Sequence, residues 1–242
     1  MDLSANAIQR MSPRIRLIFA TNNVHKVEEI QAAIGGEIEV ISLSAAGIHI
    51  DIPEPHDTLA ANATEKSTTI HRLTGMNCFS EDTGLEVNAL NGEPGVKSAR
   101  YAGEDRAFEK NVEKLLLNLA AATAAATSDA GTRRSITASS ALPATTDRRA
   151  QFRTVISLIW EEKEYLFEGI CKGHILPAPV GEGGFGYDPV FVPEGDDRSF
   201  AEMSLQEKNK YSHRRKAADR LVAFLHSAVK EAATPAPGAA KH

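Results

Sequence analysis

Short apolar runs alternate with helical periodicity through the first half of the chain. IRLIFA, residues 15–20, reads as a buried strand. TNNVHKVEEIQAAIGG follows, with Val27, Ile30 and Ile34 on one helical face, Asn22 or Asn23 as cap, and Gly35 and Gly36 as the stop. Strand, polar turn and helix open an α/β fold. IEVISL predicts a second strand, Asp51 to Thr58 a proline-punctuated loop, and Leu59 to Leu73 a helix stopping at Gly75. NCFSEDTGLEVNALNG predicts a strand, a tight acidic turn and another strand. The helix of residues 105–119 places Phe108, Val112, Leu115, Leu116 and Leu119 at helical spacing. AQFRTVISLIW and EYLFEGICKG flank the polar Glu161-Glu162-Lys163 turn as a β-hairpin. Ser204 and Glu207 form a capping box, and Leu221, Phe224, Leu225 and Val229 predict a closing helix.

The pattern lapses between Ala120 and Thr146, where alanine, serine and threonine replace large apolar residues. Such a stretch buries too little surface to offset its ordering entropy. It predicts a flexible, dispensable insertion, although its first half can extend the preceding alanine-rich helix. The expected organisation is one domain over residues 14–232, with flexible tails at 1–13 and 233–242. Composition fits one substantial core: 242 residues, 42% hydrophobic and 24% charged. The net charge of −5 disfavours a general grip on nucleic acid. No run approaches a membrane span, and MDLSANAIQRMSPR lacks the apolar core of a signal peptide. With two separated cysteines, Cys78 and Cys171, these features predict a cytoplasmic protein with reduced thiols.

Gly181, Gly183 and Gly186 in GEGGFGYDPVF spell the dinucleotide-binding fingerprint G-x-G-x-x-G. That fingerprint must follow a strand and open a helix. Here Pro189 and Pro193 follow, and DPVFVP reads as extended. The dinucleotide reading fails on context. Two alternatives stay open: a plain glycine-rich turn, or a loop in which Phe185 and Tyr187 offer aromatic faces to a planar ring beside Asp188.

Glu81 and Asp82 precede Thr83 and Gly84, and Glu54 lies in the proline loop. Hard carboxylate oxygens suit Mg²⁺, which takes one or two of them plus substrate phosphates. A carboxylate there can also deprotonate a water. A solvated acidic turn is the alternative. EKNKYSHRRK gathers Lys208, Lys210, His213, Arg214, Arg215 and Lys216 near a helix start that Ser212 can cap. This is either an anion site or a solvated basic face. Lys26 adds a cation beside the first strand.

The ordered motifs T-x-N-x-x-K (Thr21, Asn23, Lys26), the acidic proline loop, SEDTGLEVNALNGEPGVKSARYAGE, GEGGFGYDPVF and EKNKYSHRRKA resemble the inosine triphosphate pyrophosphatase family. The likeness covers residue 14 to about 231, the insertion excepted. It implies an elongated, two-lobed α/β fold with a long mixed central sheet flanked by helices and a substrate groove between the lobes. It implies a homodimer and Mg²⁺-dependent hydrolysis of dITP, ITP or XTP to the nucleoside monophosphate and pyrophosphate. By motif position, Thr21, Asn22, Asn23, Val24, His25 and Lys26 resemble the phosphate-contacting turn, and Lys66 and Lys208 two further substrate lysines. Glu54 resembles a metal ligand, and Asp82 both a metal ligand and the general base, with Thr83 beside it. Phe185, Gly186, Tyr187 and Asp188 resemble the base-binding loop, and Ser212, His213 and Arg214 the S-H-R signature. Glu81 stands where the family often has Asp, so its extra methylene either keeps or shifts a metal contact. His213 and Arg214, or nearby N–H groups, are then expected to donate to the purine 6-oxo group. Two rivals are a house-cleaning hydrolase of other modified nucleotides and a non-catalytic nucleotide binder. Joint retention of Glu54, Lys66, Asp82 and Lys208 argues against the binder.

Overall fold

The computed structural model describes residues 15–34, 38–132 and 147–233, with the side chains of 126–132 and 231–233 outside that description. The expected tails, and residues 133–146 of the expected insertion, lie outside the described residues. The elements are β1 (Ile15–Phe19), α1 (Val24–Ile34), β2 (Ile38–Ser42), α2 (Leu59–Thr74), β3 (Cys78–Val87), β4 (Pro94–Gly95), α3 (Phe108–Thr132), β5 (Arg149–Trp160), β6 (Lys163–Ile175), β7 (Phe191–Pro193), α4 (Leu205–Lys208) and α5 (His213–Ala233). The seven strands form one mixed sheet in the order β2-β1-β3-β5-β6-β7, with β4 also on β3. β1 runs parallel to β2 and β3; the β3–β5, β5–β6 and β6–β7 pairs are antiparallel.

Capping follows the sequence. The Asn23 side chain accepts from the Lys26 N–H at 3.2 Å and so caps α1. Thr58 caps α2, which ends on Gly75 at φ 65°. Glu161 and Glu162 turn the β5–β6 hairpin with φ 49° and 65°, the left-handed pair such a two-residue turn needs. The first half of the expected insertion is helical, because α3 continues to Thr132.

The acidic segment differs from expectation. Residues 78–87 form one unbroken strand, not strand–turn–strand. Every residue of β3 pairs with β5, from Cys78↔Ile159 to Val87↔Ala150. Its charges meet counter-charges from both sides, so tertiary context overrides the turn chemistry of E-D-T-G. Alternation along β3 then sends Phe79, Glu81 and Thr83 toward α1 and α5, and Ser80 and Asp82 toward α2. DPVFVP is also not wholly extended: Asp188–Val190 makes one 3₁₀ turn before β7.

Core packing brackets a gap in the sheet. β1 pairs with β3 only at Cys78 and Phe79, and β4 rejoins β3 only at Leu85 and Glu86. Between them, the β1-side edge of residues 80–84 is open. One apolar cluster joins Leu17, Phe19, Phe79, Ile156, Leu221 and Leu225 under α1 and α5. Another joins Leu85, Leu115, Phe152, Tyr187, Phe191 and Phe200 under α3 and the glycine loop. Gly169 lets the start of α5 rest on β6; a Cβ there would lie 2.0 Å from the His213 carbonyl oxygen.

Candidate active site

A cavity of about 450 Å³ occupies the open edge of β3, beyond the carboxyl end of β1, where α/β sheets bind ligands. The β1–α1 turn forms one wall: Thr21, Asn22, Asn23 and Lys26 line it. Thr21 Oγ1 accepts from the Asn23 N–H at 3.2 Å, which sets the turn that starts α1. The Lys26 side chain and the positive end of α1 lie at this wall, which suits an anion.

Two networks of buried charge cross the cavity floor. In the first, Lys66 on α2 donates to Glu54 Oε1 at 2.5 Å and to Asp82 Oδ1 at 3.3 Å. Asn62 donates to Asp82 Oδ2 at 3.3 Å, and Arg100 reaches Glu54 Oε2 at 3.3 Å. Burial, and secondarily the Glu54 charge, push the Asp82 carboxyl above its usual range despite Lys66. Burial alone would do the same to Glu54, but Lys66, with help from Lys26, outweighs it and lowers that carboxyl. Two neighbouring carboxylates are therefore driven apart, and Asp82 becomes the better proton acceptor.

In the second network, Arg214 donates to both oxygens of Glu81 at 2.7 Å each and to Glu29. Lys26 adds a contact to Glu81 at 3.1 Å. Lys208 donates to Glu29 and Asp188, both at 2.7 Å. Burial raises Glu81, but Arg214 and Lys26 reverse the sign and hold it well below the usual carboxylate range. Both of its oxygens accept from the Arg214 guanidinium.

The aromatic end lies against this network. His213 is buried, stacks on Phe152 with centroids 4.6 Å apart, and lines the cavity. Burial, then the charges of Arg214 and Lys208, hold its pKa well below 6.5, so the ring is neutral. Its Nδ1 is buried with no hydrogen-bond partner among the described residues. An unpaired buried polar atom is costly unless a ligand completes it. Phe185 stacks on His25 at 5.3 Å and lies near Phe108 at 6.1 Å. Asp188 lines the cavity and is anchored through Oδ2, which accepts from the Phe185 N–H at 2.9 Å and from Lys208 at 2.7 Å. Gly184 is required there, since at φ 71° a Cβ would lie 2.2 Å from that oxygen. Tyr187 is likewise an anchor, buried with its hydroxyl donating to the Ser98 carbonyl at 2.9 Å.

Comparison with known proteins decides the lineage. The family model described as the Ham1 family matches residues 17–224. The chain belongs to the Ham1 family. A dITP/XTP pyrophosphatase of Flavobacterium psychrophilum is 44% identical over 211 residues, covering 87% of this chain and 99% of the relative. One from Porphyromonas gingivalis is 46% identical over 210 residues, covering 87% and 97%. The solved Staphylococcus aureus Ham1 protein superposes with a TM-score of 0.71 at 36% identity, covering 88% and 99%. A HAM1 protein from Coxiella burnetii gives 0.73 at 32% identity, with the same coverages.

Of the residues singled out by the sequence motifs, this Ham1-family cavity brings together Thr21, Asn22, Asn23, Lys26, Glu54, Lys66, Glu81, Asp82, Thr83, Phe185, Gly186, Tyr187, Asp188, Lys208, His213 and Arg214. Val24, His25 and Ser212 lie outside the lining: Val24 is exposed, His25 backs Phe185, and Ser212 is buried, accepting from the Arg215 N–H at 3.3 Å to cap α5. The basic segment is not one anion site. Lys208 and Arg214 are neutralised internally, Arg215 pairs with Asp219 at 2.7 Å, and Lys216 donates to the Ile170 carbonyl. Sequence reasoning missed Glu29, Asn62 and Arg100. Glu29 had one legible signal, since it stands one helical turn before Ala33 on the flank of the apolar stripe of α1.

Among the described residues, no cluster of three or more His, Cys, Asp or Glu side chains forms a metal cage. The donor chemistry fits a cation that brings its own ligands. Glu54 and Asp82 present hard carboxylate oxygens on either side of Lys66, a donor set suited to a hard divalent cation.

Proposed function

We propose that this Ham1-family enzyme is a Mg²⁺-dependent pyrophosphatase that hydrolyses dITP, ITP and XTP to the nucleoside monophosphate and pyrophosphate. It clears deaminated purines from the cytoplasmic nucleotide pool, working as a homodimer of one domain spanning residues 14–232. The observation that carries the reading is the pairing, in one cavity, of the buried Glu54–Lys66–Asp82 cluster with a neutral, unpartnered His213 beside an aromatic loop. Close relatives named dITP/XTP pyrophosphatases support it.

The phosphate chain lies along the β1–α1 turn, where Thr21, the first-turn N–H groups and Lys26 supply donors. Asp82 accepts the proton of the attacking water, helped by burial that raises its basicity. Lys66 orients Asp82 and offers positive charge to the departing pyrophosphate. Glu54 and Asp82 would hold Mg²⁺, which neutralises phosphate charge when bound. Phe185 stacks on the purine. Arg214 Nη1 has one N–H beyond its bond to Glu29, and a guanidinium can only donate. With His213 it matches a 6-oxo acceptor and leaves the amino group of adenine opposite a donor, a mismatch worth orders of magnitude. Lys208 and Asp188 shape this end through their mutual bond.

The test is pyrophosphate release from dITP, XTP, dATP and dGTP, with and without Mg²⁺. The reading expects dITP and XTP to turn over at least about a hundredfold faster than dATP, and only with the metal. Equal turnover of dITP and dATP would sink the specificity assignment.

A further inference from the structure

Five cationic side chains line the cavity: Lys26, Lys66, Arg106, Lys208 and Arg214. Four are committed to carboxylates: Lys26 to Glu81, Lys66 to Glu54 and Asp82, Lys208 to Glu29 and Asp188, and Arg214 to Glu81 and Glu29. Arg106 alone among these five has no carboxylate within ion-pair distance among the described residues. Five carboxylates line the same space, namely Asp51, Glu54, Glu81, Asp82 and Asp188, so the lining carries no net positive charge to meet a polyanion. The free cation is the one available without breaking an existing pair.

Its backbone is held in an unfavourable conformation to present it. Arg106 has φ 53°, a left-handed conformation uncommon outside glycine, and its N–H donates to the Gly103 carbonyl at 3.3 Å. The loop is pinned from α3: buried Asn111 accepts from the Ala102 N–H at 2.7 Å and donates to the Ala99 carbonyl at 3.0 Å. Local strain maintained by surrounding bonds is a mark of functional sites. Arg106 is exposed and lines the cavity together with Glu54 and Lys66.

The geometry points to Arg106 as a substrate-binding residue: its guanidinium, at the lining of the same cavity, pairs with the phosphate chain of the nucleoside triphosphate. The inference rests on the function proposed above for the nature of the substrate. Arg106 takes no part in proton transfer; its contribution is charge-assisted hydrogen bonding to phosphate oxygens.

Glycine at 106 separates binding from structure, because it fits the left-handed backbone without strain. The experiment measures calorimetric binding of inorganic tripolyphosphate with Mg²⁺, KM for dITP, and Tm, for wild type, Arg106→Gly and Arg106→Lys. Arg106→Gly should raise Tm while weakening tripolyphosphate binding and raising KM by roughly tenfold, the lower end for a charge-assisted bond at an exposed rim. Arg106→Lys should recover most of that affinity. Tripolyphosphate binding by Arg106→Gly within twofold of wild type would overturn the inference, as would an equal loss in both variants accompanied by a fall in Tm. Arg106-dependent tripolyphosphate binding in an enzyme that leaves dITP intact would uphold this inference and reject the proposed function instead.

Discussion

Glu29 is the sharpest test of how the base end is held. It is buried on α1 and bridges Lys208 at 2.7 Å and Arg214. Glu29→Gln keeps the shape and removes the charge. Removing one partner of a buried ion pair costs about 3–5 kcal/mol. Lys208 keeps Asp188 at 2.7 Å and Arg214 keeps Glu81 at 2.7 Å, so the lower end applies, about 3 kcal/mol. In a domain of this size that is a Tm loss of about 6–12 °C. Urea denaturation at pH 7 measures it, and a double-mutant cycle with Lys208→Met should return a coupling above about 0.5 kcal/mol. The pH dependence has a definite sign. Burial raises the Glu29 pKa, but Arg214 and Lys208 lower it below 4.5 overall. Its contribution is therefore complete above pH 4.5 and is lost as pH falls through the lower folded value, so the two proteins converge in acid. A Glu29→Gln loss below about 1 kcal/mol, or losses that simply add, would refute this account of the network.

Other predictions follow from contacts on the same framework. Gly169→Ala drives a Cβ to 2.0 Å from the His213 carbonyl and should cost about 1–3 kcal/mol or more while raising KM for dITP; unchanged kinetics would show that α5 does not set the base end. Folded His213 resists protonation, whereas the unfolded chain takes up a proton near pH 6.5, so stability falls as pH drops below that value. His213→Gln should flatten that slope, and an unaltered slope counts against a neutral buried ring. Replacing Ala120 to Thr146 by a short linker should preserve folding and turnover, since Leu119 is the last buried residue of α3 among those described; loss of either measured property contradicts dispensability.

Much of the fold was legible because local chemistry and burial agree there. Asn23, Gly75, Ser204 and the Glu161–Glu162 turn stand where their caps and turns require. Legibility failed where charge is buried. E-D-T-G has turn composition, yet β5 pairs with all of it and Arg214 and Lys66 meet its carboxylates from opposite faces. The basic run from Lys208 to Lys216 looks like one electropositive patch, but its two innermost cations find partners about 130–185 residues away in sequence. No local pattern carries such pairings. The glycine loop was half legible: its prolines excluded a dinucleotide fold, while only the structure shows Asp188 and Tyr187 facing inward to hold Phe185 in place.

The central claim is that Asp82 takes the proton during hydrolysis of a 6-oxopurine triphosphate. The most direct measurement is pyrophosphate release from dITP and dATP by wild type and Asp82→Asn at pH 7 with Mg²⁺. The account predicts a kcat loss of about 10²–10⁴ for Asp82→Asn on dITP, the usual contribution of a general base, with the preference for dITP over dATP evident in wild type. An Asp82→Asn enzyme that hydrolyses dITP at the wild-type rate would contradict it.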